Sequence, residues 1–292
     1  MLTPTITLID AHQFSLPRTG AIYVIQGEAM ALVESGTAVS AERTLSKLRE
    51  IAQLKQSNTA PTYIFLTHIH LDHAGGAGLF AQAFPETKIV VHERAVRHLI
   101  NPTRLVEAVR IASPNLFDRY GEPLPIPEHQ IVPVKGGEIF ELGSDIQVEV
   151  AASPGHAPHH VCFFERVGRT LFTGDAAGNW NNPVDVPLTP PPRFDLAQGL
   201  ETLHTLRRLK PKRLAFTHYG VCDRADSHLA GYERQLITWF DDIRQLRKSL
   251  DPADIVRTVL ERPQYKDLQT AEVQIAEMCV RGAILSLESR SA

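Results

Sequence analysis

Between residues 67 and 73 the chain reads Thr-His-Ile-His-Leu-Asp-His, directly after the apolar run Tyr63 to Leu66 and just before Gly75-Gly76. Four potential metal ligands, His68, His70, Asp72 and His73, therefore leave one strand end together. Without a cation, such a set would crowd polar groups at the edge of a core. Imidazole and carboxylate suit zinc and similar divalent ions, and a turn lets the four diverge. His68 and His70 can then address one ion while Asp72 and His73 reach a second. With 13 histidines in 292 residues, chance is a poor explanation for this cluster.

Three later positions repeat the local logic of a strand ending in a small-residue turn that exposes one ligand. His156 sits in Ser153-Pro154-Gly155-His156 after Ile146 to Val150, Asp175 in Thr173-Gly174-Asp175 after Thr170 to Phe172, and His218 after Leu214 to Thr217. Singly, each has a plainer alternative: a turn histidine, a helix cap and a strand-end residue. Together with the first cluster they make a set of five His and two Asp, which matches two ions with bridging groups. His12, His92, His98, His129, His204 and His228 lack this setting and read as surface or core residues. His160 is read either as a hydrogen-bond partner of the site or as a structural residue, and His159 stands with it. Arg94, Arg97, His98 and Arg104 read as a solvated helix face, with an anion-greeting patch as the alternative.

Along the chain, Ile22 to Ile25, Ala29 to Val33, Lys88 to Val91, Ile139 to Leu142, Ile146 to Val150, Val161 to Phe164, Thr170 to Phe172 and Arg213 to Phe216 join Tyr63 to Leu66 as strands. Helices are predicted from Ser40 through Leu45, Leu48, Ile51 and Leu54, near residues 93 to 110, and at 196 to 209. From Ala225 onward the pattern is helical only, with Leu229, Tyr232, Leu236, Trp239, Phe240, Ile243 and Leu246 on one face and Val273, Ala276, Val280, Ile284 and Leu287 on a later one. This divides the chain into a catalytic domain, residues 1–224, and a C-terminal helical extension, 225–292. The apolar stripes of the extension need a partner, either the metal edge or a second copy in a homodimer. The Pro-rich stretch Pro183 to Pro192 reads as a pocket-shaping loop or a plain surface connection.

A hydrophobic content of 43% supports a full core, and the formal charge of −3 gives no broad basic field to track nucleic acid. Cys162, Cys222 and Cys279 are scattered, as in a reducing compartment. No signal-peptide pattern or membrane-length apolar run is present in the sequence, so the expectation is a soluble, cytoplasmic protein with a small-molecule substrate.

At these residues the chain resembles the metallo-β-lactamase superfamily, whose members share the H-x-H-x-D-H motif and then supply His, Asp and His in that order. His68, His70, Asp72, His73, His156, Asp175 and His218 fall on the ligand positions, and the resemblance runs from about Ile22 to Gly220. It implies an α/β fold, the αββα sandwich of two mixed sheets with helices outside and the metals at one sheet edge. Val91-His92-Glu93-Arg94, Gly155 to His160 and Gly174 to Gly178 are similar to a prokaryotic subgroup of metallo-hydrolases. His70 stands where flavodiiron oxygen reductases carry Glu, and Asp175 where true β-lactamases lack a bridging carboxylate, so the resemblance implies the glyoxalase II, lactonase and phosphodiesterase side of the superfamily. Motifs of the RNA-cleaving branch are not seen.

The implied reaction is attack of a metal-bridging hydroxide on an ester-like carbon or phosphorus, with two divalent ions, zinc first and iron or manganese as alternatives. Asp175 would bridge, Asp72 would fix an ion and relay a proton, and Tyr219 would donate to the developing oxyanion or pack in the core. The rival readings are a mononuclear iron enzyme like the persulfide dioxygenases and a metal-containing binding protein without turnover.

Overall fold

The computed structural model describes residues 5–55, 60–112, 114–143, 145–180, 186–191, 194–266, 268 and 270–288. Six strands, β1 (Thr5–Asp10), β2 (Ala21–Gln26), β3 (Met30–Val33), β4 (Tyr63–Phe65), β5 (Lys88–His92) and β6 (Ile131–Val134), form one sheet in sequence order. Its first three strands are antiparallel, and β3 to β6 are parallel. A second sheet runs β12-β11-β10-β9-β8-β7 and is antiparallel except where β10 meets β11. Its strands are β7 (Ile139–Glu141), β8 (Gln147–Ala152), β9 (Val161–Glu165), β10 (Thr170–Phe172), β11 (Arg213–Ala215) and β12 (Val221–Cys222).

Strands covered on both faces need apolar residues at consecutive positions, and β2, β3 and β9 have them. The period of two then sorts the side chains. Tyr23, Ile25, Val33, Phe65 and Val90 meet Val148, Val150, Phe163 and Phe172 between the sheets. Ile22, Val24, Leu32, Ile64 and Ile89 turn outward onto α1 (Ala41–Lys55) and α3 (Ala77–Ala83), which bring Leu45, Leu48 and Phe80. On the opposite side Cys162, Phe164, Leu171, Leu214 and Phe216 pack under α7 (Leu196–Arg208), α8 (Ala225–Leu246), α9 (Pro252–Leu260) and α10 (Thr270–Glu288). The result is four layers, helix, sheet, sheet, helix, as the resemblance implies. Among the described residues no helix is long and apolar enough to cross a membrane.

Several segments differ from the sequence expectation. The helix expected near 93–110 is broken into a 3-10 turn at Glu93–Ala95, α4 (Val96–Ile100) and α5 (Thr103–Ala112), and α6 (Pro114–Tyr120) follows. The residue before a proline disfavours helical backbone, and Asn101 before Pro102 is extended. β1 and β6 also join the sheet; Pro133 lies in β6, an edge strand where the missing N–H leaves no ladder bond unmade. The side chain of Leu54, and residues 57–59, 183–185 and 192 of the proposed break and Pro-rich loop, lie outside the described residues.

Candidate metal centre

Each proposed ligand follows the end of a strand at one edge of the sandwich. β4 leads to His68 and His70, and α2 (Leu71–Ala74) carries Asp72 and His73; β8, β10 and β11 lead to His156, Asp175 and His218. Hydrogen bonds join the two sheets there, from Val161 N to Thr67 O at 2.8 Å and from Ala21 N to Thr217 O at 2.7 Å. Two glycines shape the turns. Gly155 has φ 135°, and a Cβ would lie 2.5 Å from the Gly199 backbone of α7. Gly174 has φ 49°, and its Cβ would meet His160 Nε2 and Thr67 Oγ1 at 2.6 Å. Both positions exclude a side chain.

The seven side chains converge as two adjoining sets, His68, His70, His156 and Asp175 in one and Asp72, His73 and His218 in the other. His70 Nδ1 lies 2.9 Å from His68 Nε2 and 3.1 Å from His156 Nε2. Asp72 Oδ2 is 3.8 Å from both His73 Nε2 and His218 Nε2. Asp175 stands between the sets. Its Oδ2 faces His156 Nε2 at 3.3 Å and His68 Nε2 at 4.0 Å, while its Oδ1 faces His73 Nε2 at 3.2 Å and His218 Nε2 at 3.3 Å. His73 Nε2 and Asp175 Oδ1 are buried yet make no hydrogen bond. Lone pairs so converged and otherwise unsatisfied fit divalent cations held by nitrogen and oxygen.

In His68, His73 and His156 the other ring nitrogen is occupied, which leaves the converging nitrogen of each free to bind. His156 Nδ1 donates to Leu188 O at 3.1 Å, and His68 Nδ1 lies 3.0 Å from Thr67 Oγ1. His73 Nδ1 donates to Glu34 Oε1 at 3.1 Å. Glu34, fully buried at the end of β3, is the residue that sequence reasoning missed. It accepts from Thr67 Oγ1 at 2.6 Å, Thr67 N at 3.3 Å and Thr217 Oγ1 at 3.1 Å, so one carboxylate braces the neighbours of His68, His73 itself and the neighbour of His218. The signal available was an acidic residue closing the otherwise apolar run Ala29 to Val33. Glu34→Gln is expected to lower metal affinity about 10- to 100-fold, the usual cost of removing a ligand's supporting partner. Competition with a chelator measures this, and parent-like affinity would show that Glu34 serves packing alone.

The electrostatics divide the histidines. Burial, reinforced by the surrounding imidazoles, keeps His68 far below its ordinary range. Burial likewise takes His70 to about 3 and His156 to about 4. For His73 and His218 burial is outweighed, by Asp175, Asp72 and Glu34 at His73 and by Asp175 and Asp72 at His218, so both are raised. Asp175 is held well below the carboxylate range because His73, His218 and His156 outweigh its burial.

His160 accepts from Asp175 N at 3.2 Å and lies 2.8 Å from Ser153 Oγ, so it orients the central aspartate. His159 accepts from Ile69 N at 3.4 Å. His12, His92, His98, His129, His204 and His228 belong to neither set. Arg94 reaches Pro158 O at 3.5 Å, and Arg97 donates to His98 Nε2 at 3.2 Å. Tyr219 is a different matter. Its backbone is left-handed at φ 82°, and its ring packs against the intersheet core with the Arg18 guanidinium 5.5 Å above it. Of the two roles open to it, core packing is the one these contacts fit. The described part of the Pro-rich loop, residues 186–191, is held by the C-terminal helices: Leu188 N donates to Tyr232 Oη of α8 at 3.2 Å, and Thr189 Oγ1 to Cys279 O of α10 at 2.8 Å.

Two mixed sheets between helical layers, with histidines and aspartates that could hold a metal gathered at one sheet edge, define an αββα protein with a potential metal site. The chain belongs to the metallo-beta-lactamase superfamily, whose sequence profile matches residues 16–218. It is 30% identical over 218 residues to the metallo-beta-lactamase fold-containing protein ST1585 of Sulfurisphaera tokodaii, covering 73% of this chain and 77% of that one. The crystal structure of ST1585, from Sulfolobus tokodaii, superposes with a TM-score of 0.73 at 24% identity, over 97% of this chain and 99% of that one. The metallo-beta-lactamase family protein TTHA1429 from Thermus thermophilus gives 0.69 at 18% identity, over 94% and 89%. The N-acyl homoserine lactonase AttM of Azorhizobium caulinodans is 28% identical over 169 residues, and the chain spans 57% of its length, with 55% of this chain matched.

Proposed function

We propose that the protein is a hydrolase that holds two divalent cations, zinc first among them, and cleaves an ester-like bond of a small molecule: a lactone, thioester, carboxylic ester or phosphodiester. One cation is assigned to His68, His70 and His156, the second to Asp72, His73 and His218, and Asp175 is shared. The observation that carries this reading is the placing of the two Asp175 oxygens, one toward each set of histidines. A carboxylate can join two metals about 3.5–4 Å apart, which a neutral imidazole cannot. When bound, such ions supply a water of lowered pKa and a Lewis-acid pull on the substrate oxygen. The protein contributes deprotonated nitrogens at His68, His70 and His156, a carboxylate at Asp175 that remains ionised, and at Asp72 a side chain open enough to take up a proton from the reacting group. The match to AttM, a lactonase by name, places lactones first among the bond types to try.

Elemental analysis of purified protein, then a panel of the four bond types with zinc, manganese or iron supplied, tests the reading. Two ions per chain and turnover of one class are expected; one iron per chain with no hydrolysis of any class would overturn it. Loading is expected in two stages. The first set is already neutral, whereas the second must release the proton held on His73, so the second equivalent should bind more weakly as pH falls.

A further inference from the structure

The helix α2, which carries Asp72 and His73, stops after four residues and leaves one carbonyl without a backbone donor. Ala74 N reaches His70 O at 2.9 Å and Gly75 N reaches Leu71 O at 3.2 Å, but Gly76 N, which a continuing helix would place on Asp72 O, goes to Gly36 O at 2.9 Å. Gln13 takes up the Asp72 carbonyl, its Nε2 donating at 2.5 Å. That carbonyl belongs to the peptide joining Asp72 to His73, two members of one candidate ligand set. The other side of the same peptide is fixed as well, because His73 N donates to His70 O at 3.0 Å. A planar peptide held at both its oxygen and its nitrogen has little freedom to turn, so the directions in which Asp72 and His73 leave the backbone are set together.

The loop between β1 and β2 is arranged around this one amide. Gln13 is 1% exposed, and its Oε1 is buried without a hydrogen-bond partner among the described residues. A side chain kept only to fill space would be apolar, since an apolar residue of the same length leaves no acceptor unsatisfied. The backbone around it is left-handed at His12, Phe14, Ser15 and Arg18, with φ of 49°, 56°, 63° and 59°. Non-glycine residues persist in that conformation only where the surroundings hold them, and such positions cluster at functional sites. Here Asp10 holds them, its carboxylate accepting from His12 N at 3.0 Å and Arg18 N at 2.9 Å, together with Thr19, whose hydroxyl donates to Gln13 O at 2.7 Å. Gly20 closes the loop. A Cβ there would fall 2.5 Å from Gln13 Cγ and closer still to Cδ, so the glycine leaves room for the amide.

We infer that Gln13 is a positioning residue for the second cation: through the Asp72 carbonyl, its amide holds Asp72 and His73 in the directions from which they meet one ion. The inference rests on the two-cation reading above and adds the group that orders two of the second ion's ligands. Gln13→Met removes the donor and keeps the length of the side chain. Gly20→Ala leaves Gln13 intact and displaces its amide. Zinc-loaded parent and variants are equilibrated against a chelator with zinc per chain measured at each step, and circular dichroism reports whether the fold is kept. In both variants the more weakly held zinc is expected to bind about tenfold more weakly, the lower end of the usual cost of removing a ligand's support, while the tighter zinc is released as in the parent. With cobalt(II) in place of zinc, the visible bands that grow with the second equivalent should shift in both variants, and those of the first should match the parent. A merely structural role would not single out the second ion or its spectrum. Two zincs held by folded variants as in the parent, an equal loss of both, or loss of the fold in both variants would each overturn the assignment of Gln13. A parent that holds a single zinc would overturn the two-cation reading itself.

Discussion

Asp175→Asn is expected to yield a protein that holds less than its full complement of metal and whose activity falls further than its metal content. The substitution keeps the size of the side chain and removes its charge. Asp175 is buried, and its oxygens lie 3.2 to 3.3 Å from the nitrogens of His73, His218 and His156. An amide offers one oxygen where the carboxylate offers two, so one set of histidines would face an N–H group that cannot bind a cation. Removal of a supporting partner alone costs about 10- to 100-fold in affinity or activity, and a shared ligand should cost at least the upper part of that range. His159→Ala is the comparison, because His159 belongs to neither ligand set and meets the centre through Ile69 N and the rings of His68 and His70, so its loss should leave the stoichiometry near normal. Metal per chain and hydrolysis, measured on both variants, decide the matter. Two tightly held ions with unchanged turnover in Asp175→Asn would show that the dinuclear assignment is wrong.

The convergence of the candidate ligands was legible because side chains presented at strand ends are written locally. His68, His70, Asp72 and His73 lie in one turn, and Gly155 and Gly174 announce the later two turns by the space they must leave empty. Glu34 was not legible, since nothing around it marks a single glutamate after β3 as the hub of Thr67, His73 and Thr217; the connection exists only once β3, β4 and β11 end at the same edge. Tyr219 shows the converse. Nearness in sequence to His218 pointed to Tyr219, but its backbone is left-handed and its ring packs against the intersheet core under the Arg18 guanidinium. The strand pattern was readable where both faces are buried, and it failed at β1 and β6, the two edge strands of the first sheet, where half-exposed residues and Pro133 weaken the signal.

The C-terminal helices carry the second large effect. Removal of residues 250–292 is expected to give an aggregated protein or one of altered oligomeric state. α9 buries Ile255, Val256 and Val259, and α10 buries Ala276, Cys279, Val280, Ala283, Ile284 and Leu287. All belong to the cluster that also holds Phe164, Leu171, Leu214 and Phe216 of the second sheet and Leu236, Trp239 and Phe240 of α8. At about 1.5–3 kcal/mol for each larger aliphatic side chain, their burial amounts to roughly 10–20 kcal/mol, comparable with the whole stability of a domain at about 5–15 kcal/mol. The truncation would also bare the facing side chains of α8 as a contiguous apolar patch, which promotes association. Its effect extends to the candidate metal centre, since Thr189 Oγ1 loses Cys279 O, and the loop whose Leu188 carbonyl fixes the His156 ring loses that tie to α10. Light scattering, metal content and activity of the shortened chain test this. A truncated protein that stays soluble, unchanged in oligomeric state and fully active would show that the helices contribute nothing to the fold or to the placing of His156.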